Sequence, residues 1–204
     1  MKDRIKYVLA TSNPGKIQEM REILSGLDID FITREDLGIN FEIEETGSTF
    51  RDNALIKAKA ICEAAGLPAI SDDSGLMVDA LDGGPGVNSS SFGGEGLDNE
   101  RRCAYLLEKL RGEEQRGAKF VCTIVCAFPD GRILTAEGEC PGSIADSPRG
   151  SNGFGYDPVF FARGMNKTMA ELPPEEKNRL SHRGKALRRF SELVSSEMKD
   201  PLVR

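Results

Sequence analysis

The tripeptide Pro129-Asp130-Gly131 separates two apolar runs, Lys119 to Phe128 and Arg132 to Cys140. A connection that short joins antiparallel neighbours, because parallel strands need a crossover of a dozen or more residues. Elsewhere the chain alternates strand and helix. Ile5 to Ala10 reads as a buried strand, broken by Thr11-Ser12-Asn13-Pro14-Gly15. From Lys16 onward, Ile17, Met20, Ile23 and Leu24 follow helical spacing. Thr49 to Ala65 forms a second amphipathic helix with Ser48 or Thr49 as its cap, and Asp98 to Leu110 a third. Gly184 to Met198 is the last, with Ala186, Leu187, Phe190 and Leu193-Val194 on one face. A hairpin inside a strand–helix alternation predicts an α/β fold with a mixed β-sheet and flanking helices. Pro141 to Pro174, rich in glycine and proline, reads as a long loop, and loops that long in a compact domain are usually functional.

With 204 residues the chain is one large domain or two closely joined lobes, and it shows no internal repeat. A net charge of −6 argues against nucleic-acid or membrane-surface binding through bulk electrostatics. The charge is unevenly spread. Glu42 to Asp79 holds eight acidic residues against three basic, whereas Arg163 to Arg189 holds eight basic against three acidic. Such a chain can hold a cation and a polyanion. The five cysteines, Cys62, Cys103, Cys122, Cys126 and Cys140, have neither a CxxC pair nor zinc spacing. Cys122 and Cys126 share one face with Ile124 and read as small core residues. An odd count without a framework fits a reducing cytoplasm. Only a short apolar run follows Met1-Lys2-Asp3-Arg4, so neither a signal peptide nor a membrane span is expected.

Chemistry concentrates at Leu67-Pro68-Ala69-Ile70-Ser71-Asp72-Asp73-Ser74-Gly75, read as a short buried strand that ends in two carboxylates and a glycine turn. Like charges so close persist with a metal ion, a basic partner or a shared proton. A divalent metal with an activated water is the usual reason to build such a place, although Asp and Ser also cap ordinary turns. Thr11-Ser12-Asn13-Pro14-Gly15-Lys16 joins strand to helix, where outward N–H groups and the Lys16 ammonium suit an anion. It lacks the GxxxxGK[ST] spacing of a Walker loop. Glu44-Glu45-Thr46-Gly47 precedes the second helix, in which Asn53 and Lys57 share a face. His182, the single histidine, sits beside Arg183 in a turn ahead of a helix, a place better suited to a ligand than to a core. Phe154 and Tyr156 offer a flat face for a stacked base. Together these pieces fit a nucleoside polyphosphate with its divalent metal.

The chain resembles the inosine triphosphate pyrophosphatase family from Thr11 to about Phe190. The resemblance rests on five blocks in order: Thr11-Ser12-Asn13-Pro14-Gly15-Lys16, Glu44-Glu45-Thr46-Gly47-Ser48-Thr49-Phe50, Ser71-Asp72-Asp73-Ser74-Gly75, Gly153-Phe154-Gly155-Tyr156-Asp157-Pro158 and Ser181-His182-Arg183-Gly184. It implies one two-lobed domain over residues 1–204, with a long twisted mixed sheet, a substrate cleft between the lobes, and a cytoplasmic homodimer. It also implies magnesium-dependent hydrolysis of ITP, dITP and XTP to the monophosphate and pyrophosphate. Carried across, Thr11, Ser12, Asn13, Pro14, Gly15 and Lys16 hold the triphosphate. Glu44 and Asp73 engage Mg²⁺, with Asp72 a further candidate. Asp73 is also the proton acceptor for water, and Ser74 a substrate contact. Phe154, Gly155, Tyr156, Asp157, Lys177, His182 and Arg183 bind the base and its surroundings. An orthophosphate-releasing hydrolase with an aspartyl nucleophile would want a second Asp two residues on, which Asp72-Asp73-Ser74 does not supply. A purely binding module would not need both Glu44 and Asp73.

Overall fold

The computed structural model describes residues 4–197. Among these residues six strands form one sheet: β1 (Ile5–Leu9), β2 (Ile29–Thr33), β3 (Ala69–Val78), β4 (Gly117–Ala127), β5 (Ile133–Ile144) and β6 (Phe160–Ala162), ordered β2-β1-β3-β4-β5-β6. β1 runs parallel to both β2 and β3, and β5 antiparallel to β6, so the sheet is mixed as expected. The β4–β5 hairpin forms at the predicted place. Gly131 N–H donates to the Phe128 carbonyl and Phe128 N–H to that of Arg132, while Asp130 accepts from the Arg132 N–H. Gly131 takes φ +88°, a conformation that costs a residue without a side chain little.

The described residues form five α-helices: α1 (Pro14–Ile23), α2 (Phe50–Ala65), α3 (Asn99–Lys109), α4 (Pro174–Leu180) and α5 (His182–Glu197). Each of the first three is capped by a side-chain oxygen accepting an N–H of the first turn, from Asn13, Thr49 and Asp98 respectively. Met198, the expected end of the last helix, lies outside the described residues. Ala186, Leu187, Phe190 and Val194 are buried along α5, but Leu193 is 40% exposed, because it falls just past the margin of that face.

β3 does not stop at a glycine turn after Asp73; it runs through Asp72, Asp73, Ser74 and Gly75 to Val78. The apolar run resumes at Leu76 and Val78, both fully buried, and this carries the strand onward. The Pro141–Pro174 stretch is not one loop either. Its start completes β5, its middle is β6, and Gly142 pairs with Ala162.

The chain divides into two compact units. The first contains residues 4–73, 123–137 and 186–197; its core includes Val8, Ala54, Ala58, Ile61, Ala69 and Val125. Ser74–Cys122 and Gly138–Lys185 make the second, around Leu76, Leu106, Phe120, Ile144, Val159 and Phe160.

Candidate active site

In the first unit, parallel pairing of β1 with β3 places Leu9 beside Ile70, and Ala10 N–H donates to the Ile70 carbonyl at 2.8 Å. The residues that follow on each strand are therefore neighbours: the Thr11–Lys16 block and Asp72. Asn13 accepts the Lys16 N–H through Oδ1 at 3.2 Å, and Thr11 Oγ1 accepts the Asn13 N–H at 3.2 Å. These bonds fix the turn into α1. Lys16 then reaches back, Nζ lying 3.0 Å from Oδ2 of the buried Asp72.

Asp73 is held from α2. Lys57 Nζ donates to its Oδ1 at 3.2 Å and to Glu45 Oε2 at 2.9 Å, while Asn53 Nδ2 lies 3.4 Å from Asp73 Oδ2. Burial pushes the Asp73 carboxyl above its ordinary value, against the opposing Lys57 ammonium; the Glu45 carboxylate adds to the rise. Burial alone would lower the Lys57 ammonium, but the carboxylates of Asp73, Asp72 and Glu45 outweigh it and hold it raised. Glu44 is exposed on the segment that carries Glu45.

Among the described residues no three Asp, Glu, His or Cys side chains are grouped to hold a metal ion. The residues still fit magnesium. It takes oxygen donors, commonly one or two carboxylates completed by substrate phosphates and water, and Asp73, Glu44 and Glu45 supply carboxylate oxygens alone.

In the second unit Lys177 and Asp157 form a buried ion pair, Nζ to Oδ2 2.7 Å, and Asp157 Oδ2 also accepts the Phe154 N–H at 2.9 Å. A β-carbon on Gly153 would collide with Asp157 Oδ2, so the turn needs glycine. The Phe154 ring carries Lys177 Nζ at 4.7 Å and the Arg183 guanidinium at 5.4 Å. Arg183, only 3% exposed, donates to Ser74 Oγ at 2.8 Å. Ser74, Phe154, Asp157, Lys177 and Arg183 thus form one connected set.

Tyr156 and His182 sit differently from expectation. Tyr156 is turned into the core and donates its hydroxyl to the Ser89 carbonyl at 2.9 Å, so its ring offers no open face beside Phe154. Burial raises its phenol far above the usual range. His182 is not in a turn but opens α5, 7% exposed, with its ring stacked on Phe120 at 4.6 Å and 9°. The neighbouring apolar strand β4, through Phe120, provides that platform.

The profile of the Ham1 family matches residues 7–193, most of the chain. The chain belongs to the Ham1 family. Among Ham1 relatives, the dITP/XTP pyrophosphatase of Thermus thermophilus is 50% identical over 191 residues, covering 92% of this chain and 91% of that protein. The dITP/XTP pyrophosphatase of Bacillus subtilis is 44% identical, covering 93% and 96%. A solved HAM1 protein from Coxiella burnetii superposes with a TM-score of 0.87 at 42% identity, covering 94% of this chain and 99% of that one.

Three further residues shape this Ham1 site, two of them already paired in the sequence. Asn53 and Lys57 grip Asp73; their i, i+4 spacing was the available signal. Arg34 had none. Buried at the end of β2, it donates Nε to the Ile39 carbonyl at 2.9 Å and Nη2 to that of Phe41, with the Phe41 ring 5.5 Å from its guanidinium carbon. It thereby fastens the chain just ahead of Glu44.

Proposed function

We propose that this chain hydrolyses non-standard purine nucleoside triphosphates, dITP, ITP and XTP, to the monophosphate and pyrophosphate with Mg²⁺. The observation that carries the reading is the cluster of Lys16, Lys57, Asp72, Asp73 and Glu45, in which the ammonium groups of Lys16 from α1 and Lys57 from α2 meet the buried carboxylates of Asp72 and Asp73 and the more exposed one of Glu45. That set suits charge neutralisation and water activation, which is most of what phosphoanhydride hydrolysis asks of a protein. The names of the relatives point the same way.

In this mechanism the Thr11–Lys16 turn and Lys57 bind the triphosphate. Asp73 accepts the proton of the attacking water as the bond between the α- and β-phosphates breaks, and pyrophosphate leaves. Glu44 and Asp73 would hold Mg²⁺, which would supply further charge neutralisation at the phosphates. Phe154 takes the base on its ring. Donors at His182 and Arg183 meet O6 of a 6-oxo purine. Adenine presents an amino group there, and two unmatched buried donors cost about 1–3 kcal/mol each, enough for discrimination of a few orders of magnitude. We also assign the protein to the cytoplasm as a homodimer. Five free, buried thiols suit a reducing compartment, and among the described residues no helix is long and apolar enough to cross a membrane.

The test is product identification with ITP, XTP, dITP, GTP and ATP in parallel, with magnesium and with EDTA. Pyrophosphate and monophosphate from the first three, little from GTP and ATP, and none with EDTA is the expected result. Orthophosphate, or no product, overturns the reading. Light scattering on the eluting protein tests the dimer.

A further inference from the structure

We infer that Asn53 is a positioning residue that fixes the orientation of the Asp73 carboxylate and ties it to the Glu44–Gly47 segment; the inference rests on the function proposed above. Asn53 is 4% exposed, and both ends of its carboxamide are engaged. Its oxygen accepts the Gly47 N–H at 2.8 Å, and its amino group faces Asp73 Oδ2 at 3.4 Å. An amide has one oxygen and one NH₂, so the bond to Gly47 decides that the donor end meets the carboxylate. Turning the amide over would set oxygen against oxygen.

Lys57, one helical turn further on, takes the other oxygen of Asp73 and also Glu45. One face of α2 therefore addresses both Asp73 oxygens and the acidic segment together. The two links differ in stiffness. The lysine has four rotatable bonds and can follow a moving partner, whereas the asparagine has two and cannot. Gly47 records the same closeness from the other side. A β-carbon there would lie 2.6 Å from Asn53 Oδ1 and 2.6 Å from Asp52 Cβ. Only glycine lets the segment approach near enough for the bond.

The experiment is steady-state kinetics of pyrophosphate release from ITP, with Mg²⁺ saturating, for wild type, Asn53→Asp, Asn53→Ala and Gly47→Ala. Asn53→Asp keeps the shape and the acceptor for Gly47 but turns an oxygen toward Asp73. Asn53→Ala removes both bonds with the residue best suited to a helix interior. We expect kcat to fall about 10- to 100-fold in all three while KM for ITP stays within about threefold, the size and pattern of a misaligned reacting group. Because the side chain acts through Gly47, the double variant Asn53→Ala/Gly47→Ala should be little worse than either single one. Unchanged kcat in folded Asn53→Ala, a KM effect alone, or fully additive losses overturn the inference. If wild type itself releases no pyrophosphate, the proposed function fails instead, so the two failures are distinct.

Discussion

Replacing Asp157 by alanine should cost the second unit much of its stability, through charge more than through volume. The carboxylate and the Lys177 ammonium lie 2.7 Å apart with side chains 5% and 7% exposed, so water screens neither. Removing one member of a buried pair leaves the other charge in a poor medium, at about 3–5 kcal/mol. The Phe154 N–H loses its acceptor as well. For a chain of this length each kcal/mol moves the melting midpoint by about 2–4 °C, which gives a fall of roughly 6–20 °C. Asp157→Asn separates the contributions, since its amide oxygen still accepts from Phe154 while the charge is lost; its midpoint should lie between the two. Circular dichroism melts of the three proteins without nucleotide provide the measurement. An Asp157→Ala midpoint within about 2 °C of wild type would refute the argument that the pair is desolvated.

Asp73→Asn should abolish turnover while nucleotide binding, followed by calorimetry, stays within roughly tenfold, because a proton acceptor is lost and few contacts are. Wild-type kcat in that variant would remove Asp73 as the base. In His182→Ala, discrimination between ITP and ATP should fall more than kcat on ITP; an unchanged ratio would leave the histidine a packing role against Phe120 alone. Burial pushes the Cys103 thiol up to about 11, and its Sγ is engaged with the Gly155 carbonyl. A raised thiol stays protonated below that value. At pH 8 its thiolate is about one part in a thousand, against roughly a quarter for an ordinary thiol. Native protein at pH 8 should take up iodoacetamide at Cys103 far more slowly than urea-unfolded protein, which peptide mass spectrometry would reveal.

Elements governed by local chemistry were legible in the sequence. Pro129-Asp130-Gly131 dictated its hairpin, and Thr49, one of two expected caps, starts α2 because its side chain satisfies an N–H group three residues away. What escaped depended on partners distant in the chain. β2 is a strand because β1 pairs with it in parallel, Ile5 beside Ile29. β6 is three residues that acquire regular structure only against β5. Asp72-Asp73-Ser74-Gly75 resembled a strand end, since polar residues and glycine usually close strands; Lys16 and Lys57, far away in sequence, make the charges tolerable inside one. The five motif blocks named most of the candidate site. They could not say that Tyr156 faces inward, because alternation across a glycine turn is decided by the core beneath it. Arg34 carried no pattern at all, as its partners are backbone carbonyls.

The ion pairs of Lys16 with Asp72 and of Lys57 with Asp73 and Glu45 have a thermodynamic corollary. In a cluster where every ammonium and carboxylate already has an opposite partner, an ion of one sign gains little, since each new attraction is offset by a contact given up. A lone anion has to unseat a carboxylate, and a lone cation an ammonium. A ligand that brings both signs together can exchange partners on both sides at once. Such a site is selective for complexes over their components, and its affinity should respond only weakly to ionic strength.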